Sequence, residues 1–157
     1  MAVDHVEVTA LSSGAFTEVV SAPGALGVPV PSCPEWTVAD LVRHLGEVQG
    51  WWTLALRGNG SKPNTADLST PGPDLLSWWR QCSGEFLTTL RATPTDAPAW
   101  CWWNDAQRDT AGAVAWRQAH EAVVHLWDAQ AALGAQTPIG AEVAADGVDE
   151  FVARMLP

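Results

Sequence analysis

The chain has no tyrosine, only three cysteines, and only eight lysines and arginines among its 157 residues. Each shortage excludes something. Cys33, Cys82 and Cys101 are odd in number, widely spaced, and never form a Cys-x-x-Cys pair. They read as reduced thiols, neither a disulfide framework nor a zinc ribbon. The basic residues form no run and the formal net charge is −10, which argues against a nucleic-acid backbone as partner. No apolar stretch approaches the roughly 20 residues that a membrane span needs. Asp4, His5 and Glu7 stand where a secretion signal would need a basic segment and then an apolar one. The expectation is a cytoplasmic protein with neither a membrane nor a nucleic-acid partner.

Hydrophobic residues make up 47% of the chain and charged residues 17%, a globular and not a disordered composition. The length suits one domain over 1–157, large enough to hide about 68–70% of its unfolded surface. Ten tryptophans are the main large apolar groups. Most are expected in the core, and the rest along an aromatic cleft.

The pattern predicts helices joined by loops that proline and glycine mark. The first runs from about Asp4 to Val20. Pro23, Gly24, Gly27, Pro29, Pro31 and Pro34 then forbid regular structure until Trp36. Thr37 is an N-cap, with Asp40 three residues on as a capping-box analogue. A second helix follows from Val38 to about Arg57, with Val38, Leu41, Leu45, Val48 and Trp52 as its apolar stripe. Ser61–Pro73 reads as a polar loop. A third helix starts near Asp74 and ends before Pro94, and Thr93–Asp109 reads as a packed connecting loop. The fourth spans Thr110 to Leu133, with Gly134 closing it. A last helix covers about Ala141 to Met155. The expected fold is all-α, a four-helix bundle with an additional C-terminal helix.

The chemistry concentrates in the fourth helix. Glu121 and His125 lie one turn apart on one face. Such a pair can grip a divalent ion, and His44, at the edge of the second helix's apolar stripe, is the best third ligand. Two imidazoles and one carboxylate leave a position open, as in a catalytic zinc-type site. Arg117, Gln118, Glu121, His125 and Asp128 share this face, and it is not an ordinary charged surface. Asp128 is placed to orient the His125 imidazole. Arg117 is the candidate for holding a substrate carboxylate by bidentate pairing, with an ion pair to Asp128 as the structural alternative. His120 lies about 100° from Glu121 around the helix and is assigned no metal role, and neither is His5.

Two blocks carry a resemblance. Val30-Pro31-Ser32-Cys33-Pro34-Glu35-Trp36-Thr37-Val38-Ala39-Asp40-Leu41-Val42-Arg43-His44-Leu45 and Trp116-Arg117-Gln118-Ala119-His120-Glu121-Ala122-Val123-Val124-His125-Leu126-Trp127-Asp128 resemble the N-terminal domain of mycothiol-dependent maleylpyruvate isomerases. That domain belongs to the DinB-like metal-binding four-helix bundles. The resemblance implies His44, Glu121 and His125 as ligands of a divalent metal, usually assigned as zinc, and mycothiol as the thiol cofactor. Isomerases of this type carry a further C-terminal domain, so 1–157 also reads as the N-terminal part of a longer protein.

The expected function is a metal- and thiol-dependent isomerase or S-transferase acting on a small electrophile such as an unsaturated oxo-acid. The competing expectation is a metal-containing protein that binds or sequesters a small ligand without turnover. A monomer and a homodimer are both compatible with the sequence.

Overall fold

A computed structural model describes residues 3–103 and 109–156. Five helices dominate: α1 (His5–Val20), α2 (Val38–Arg57), α3 (Leu75–Ala92), α4 (Ala111–Ala132) and α5 (Ala141–Arg154). Among the described residues the fold is all-α apart from one two-stranded sheet and a single bridge between Pro98 and Thr110. The helix ends follow local chemistry. Asp4, Asp74 and Thr110 each accept a hydrogen bond from a backbone N–H of the turn they cap. Asp40 accepts from both the backbone N–H and the hydroxyl of Thr37, at 2.9 and 2.7 Å. Gly134, with φ +68°, follows α4 in the left-handed conformation that glycine adopts without penalty. Within the expected connecting loop, residues 104–108 lie outside the described residues.

One expectation is corrected before Trp36. Pro29–Val30 (β1) and Cys33–Thr37 (β2) pair antiparallel, Pro29 opposite Thr37 and Val30 opposite Cys33, with an irregular register between. Prolines are tolerated in a two-stranded ribbon because many of its N–H groups need no partner. The turn of this ribbon holds Pro31 and Ser32, and Ser32 matters below.

In the bundle, α1 packs most extensively on α4, and α2 on α3, while α5 lies against α4 with a small footprint. The core divides into two clusters. One gathers Phe16, Val20, Leu41, Leu45, Trp78 and Trp79. The other gathers Trp52, Leu56, Phe86, Leu90, Cys101 and Val114. Gln49, fully buried, falls along α2 between Leu45 of the first cluster and Trp52 of the second, and its amide donates to the Ser13 hydroxyl at 3.1 Å. All three cysteines are free thiols. Among the described residues no helix is long and apolar enough to cross a membrane.

The tryptophans depart from expectation. Only Trp52, Trp78 and Trp79 are buried, while Trp102 and Trp127 are exposed and the other five lie between. Indoles are so large that complete burial is uncommon. Trp51, Trp52, Trp103 and Trp102 instead form a chain of ring contacts with centroid spacings of 4.7, 5.8 and 5.2 Å.

Gly46 lets α2 and α3 approach. A Cβ there would lie 2.3 Å from Trp78 Cζ3, and the Trp78 indole is itself tied to the Ser69 hydroxyl at 3.0 Å. Gly46→Ala is therefore expected to cost about 1–3 kcal/mol by overpacking. A thermal melt reads this as a fall of roughly 2–12 °C, and an unchanged melting temperature would contradict the close approach.

Candidate metal centre

The polar face of α4 points into the protein. Gln118 and Asp128 are buried, and Glu121 and His125 are largely so, whereas Val124, at the border of this face, and Trp127 are exposed. Helical spacing places Glu121 and His125 one above the other. The α2–α4 contact then brings in His44, which is 77 positions away in sequence from Glu121. His44 Nε2 lies 3.0 Å from Glu121 Oε1, and His125 Nε2 lies 3.3 Å from the same oxygen. The two imidazoles meet edge to face at 4.9 Å between centroids. Trp36, on β2, packs against His44 at 5.3 Å.

A buried cluster with this much charge needs partners, and each member has them. Arg117 donates to Glu121 Oε2 with one guanidinium nitrogen and to Glu150 Oε2, at 2.8 Å, with another. His125 Nδ1 lies 2.9 Å from Asp128 Oδ2, and the Ser32 hydroxyl donates to Asp128 Oδ1 at 2.6 Å. The ribbon turn thus fixes Asp128, Asp128 fixes the His125 ring, and α5 fixes Arg117 through Glu150.

These contacts set the protonation states. Burial works against the Glu121 carboxylate, but hydrogen bonds from His125 and His44 and the Arg117 charge outweigh it and hold its pKa well below the usual range. Burial also works against the His125 imidazolium. Its hydrogen bonds and charge pairing with Asp128 and Glu121 win, and push its pKa up to about 9. Burial pushes Glu150 up, against the pull of Arg117.

The geometry suits a divalent ion. One ligand atom each from His44, Glu121 and His125 falls within 4.8 Å of the others. Zinc–ligand bonds of about 2.0–2.1 Å put neighbouring ligand atoms of a tetrahedral shell roughly 3.3–3.5 Å apart. The observed 3.0 and 3.3 Å need little adjustment. His125 also shows the carboxylate–histidine pairing that orients metal ligands.

A model of the mycothiol maleylpyruvate isomerase N-terminal domain matches residues 10–130. The chain belongs to this family. The match takes in α1 to α4 almost entirely, and with them all three residues of the cluster. No curated protein matches the chain, and no solved structure does.

For this family member the structure brings together His44, Glu121, His125 and Asp128. It places Arg117 differently from the expected alternative: its ion pairs go to Glu121 and Glu150, not to Asp128. Two participants escape sequence reasoning, and a third, Gln118, is placed by it on the polar face without a role. Ser32 and Glu150 reach the cluster from 96 and 33 positions away from their partners, and no periodicity signals such contacts. Gln118 is 1% exposed, and among the described residues neither its amide oxygen nor its nitrogen has a partner. It lines a small pocket with Trp51, Trp52, Trp102 and Glu121. Its place one turn before Glu121 on the polar face of α4 is the signal that marks it.

Proposed function

We propose that this protein is a metal- and thiol-dependent enzyme of the mycothiol type, an isomerase or S-transferase for a small electrophilic substrate such as an unsaturated oxo-acid. The observation that carries this is the convergence of His44, Glu121 and His125 on one point, inside a family whose name joins mycothiol to an isomerisation. His44, Glu121 and His125 would hold the ion. A divalent metal bound there lowers the pKa of a thiol and makes a thiolate available at neutral pH.

In an isomerisation, the thiolate sulfur adds to one carbon of the cis double bond, and the bond's electron pair moves toward the oxo group. Rotation about the resulting single bond and expulsion of the same thiolate give the trans product. A transfer reaction stops at the protonated adduct. The chain's own residues position and exclude. Trp36 walls one side of His44. Gln118, whose amide has no partner among the described residues, lines the tryptophan-rich pocket beside Glu121. Arg117 is already shared by two internal carboxylates, so its role here is to orient Glu121, and a substrate carboxylate would have to compete for it.

The deciding measurement is turnover of cis-unsaturated oxo-acids and other small electrophiles with mycothiol, before and after chelation. Activity that needs the thiol and returns when zinc is restored is expected. Equal rates with and without metal, or without thiol, would overturn the proposal.

A second reading, a metal-containing binder without turnover, is favoured by a cavity of about 510 Å³ between α4 and α5, lined mainly by apolar groups such as Val124, Val143, Val148 and Phe151. An apolar ligand retained through purification, with no thiol dependence, would favour it over the enzyme.

Metal uptake should also be pH-dependent. With its pKa at about 9, His125 in the metal-free chain is protonated at pH 7. An ion must displace that proton, so zinc uptake at pH 7 is expected to release it, and the apparent affinity to rise toward pH 9. Calorimetry in buffers of different ionisation enthalpy counts the proton, and a count of zero would remove His125 from the ligand set. The same shift stabilises the metal-free fold. That contribution is fully present below the unfolded value of 6.5 and is lost as pH rises through about 9.

A further inference from the structure

A second cluster sits on another side of α4. Asp146 of α5 directs one oxygen, Oδ2, at three groups. His5 Nε2, from the first turn of α1, lies 2.9 Å away, and His120 Nε2, from α4, lies 2.6 Å away. The indole N–H of Trp116 donates to the same atom at 2.9 Å. A carboxylate oxygen offers about two lone-pair sites, so three partners overfill it as a hydrogen-bond acceptor. As a set of ligand atoms the arrangement is better suited. One atom each from His5, His120 and Asp146 falls within 4.8 Å of the others.

The construction parallels the first cluster. In both, two imidazole Nε2 atoms face a single carboxylate oxygen, at 3.0 and 3.3 Å there and at 2.9 and 2.6 Å here. In both, a neighbouring donor, Arg117 or Trp116, steadies the carboxylate. The backbone makes room as well. A Cβ on Gly147 would lie 2.8 Å from His120 Nδ1, so glycine at this position lets α5 close over the ring. His120 is buried, while His5 and Asp146 keep about a quarter of their side-chain surface exposed, at 26% and 24%. Together they leave an edge through which an ion and its water can enter.

The geometry points to a second divalent-cation site, formed by His5, His120 and Asp146, that clamps α5 onto α1 and α4. Two imidazoles and one carboxylate suit zinc or a similar first-row ion, with the remaining position taken by water. The clamp has a mechanical consequence. α5 touches the bundle over a small area, yet it carries Glu150, which anchors Arg117 and through it Glu121. An ion at this site ties down the helix that steadies the first cluster.

The test is metal content after dialysis of the stripped full chain against zinc, followed by elemental analysis. The His44→Ala chain disables the first cluster, so its uptake reports the second alone. It is expected to retain about one equivalent. Adding His5→Ala, or separately Asp146→Asn, to that chain should remove it, with circular dichroism confirming the helices. A thermal melt of the His44→Ala chain should rise on zinc addition, and this rise should vanish in both double variants. No uptake by a folded His44→Ala chain would overturn the site, and so would uptake that persists in either folded double variant. The outcome is independent of the first cluster. If that one bound no metal, wild type and His44→Ala would hold equal zinc, and His5→Ala would still lose it.

Discussion

A Glu121→Ala chain is expected to bind zinc at the first cluster at least about 100-fold more weakly than the parent. Losing only a residue behind the ligands typically costs 10–100-fold, and Glu121 is the sole anionic ligand of its set. Its Oε1 lies between both imidazole nitrogens, so no neighbour can replace it. Of the other carboxylates in this network, Asp128 has its oxygens taken by His125 Nδ1 and Ser32, and Glu150 is paired with Arg117. Competition against a chromophoric chelator measures the change, with His5→Ala in the background to silence the second cluster. Unchanged affinity would place the ion elsewhere. The same variant should lose thiol-dependent turnover to the extent that it loses metal, and restoring saturating zinc should not restore the native rate, because the ligand geometry has changed.

Arg117→Met is expected to destabilise the metal-free protein by about 3–5 kcal/mol, because it leaves a buried carboxylate without its cation. Glu150 is 1% exposed, and its second oxygen has no partner among the described residues. The arginine side chain is itself 15% exposed, so solvent screens the pair little. The measured loss is capped by the free energy of undocking α5, since undocking returns Glu150 to water. Faster amide exchange across 141–154 should therefore accompany it. Arg117→Met combined with Glu150→Leu should recover much of the loss, because an apolar pair of similar size carries no desolvation penalty. A single variant that melts with the parent would mean that the Arg117–Glu150 pair is not closed in solution.

The two variants separate two roles on one helix face. Glu121 would hold the ion, and Arg117 would hold Glu121. Loss of the first should weaken binding at its centre, whereas loss of the second should weaken the fold chiefly through α5 and so loosen the site. This division explains why a face with so many charged and polar groups can be buried. Each charge is answered by another, in a chain from Ser32 through Asp128, His125, Glu121 and Arg117 to Glu150.

Much of the scaffold was legible residue by residue because its signals are local. Thr37 and Asp40 mark the start of α2, Thr110 that of α4, and Gly134 the residue after its Leu133 cap, each through local backbone and side-chain chemistry within one turn. Glu121 and His125 were legible as a pair for the same reason, since a helix forces residues four apart onto one face. The ribbon at Pro29–Thr37 was not, because its pairing depends on backbone groups that side-chain type does not reveal. His120 shows the limit most clearly. Its angle around α4 does separate it from Glu121, but angle alone does not say what lies in the direction it faces. His5 and Asp146, 141 positions apart, lie there.

By itself, then, the sequence determined the helices, their caps, and which side chains α4 would present together, because all of these follow from interactions across a few residues. Tertiary structure alone decided which face of α4 turned inward, which residues answered its charges, and that His5, His120 and Asp146 would meet. Those outcomes depend on how the helices pack against one another, and packing is a property of volumes and surfaces brought together from distant parts of the chain.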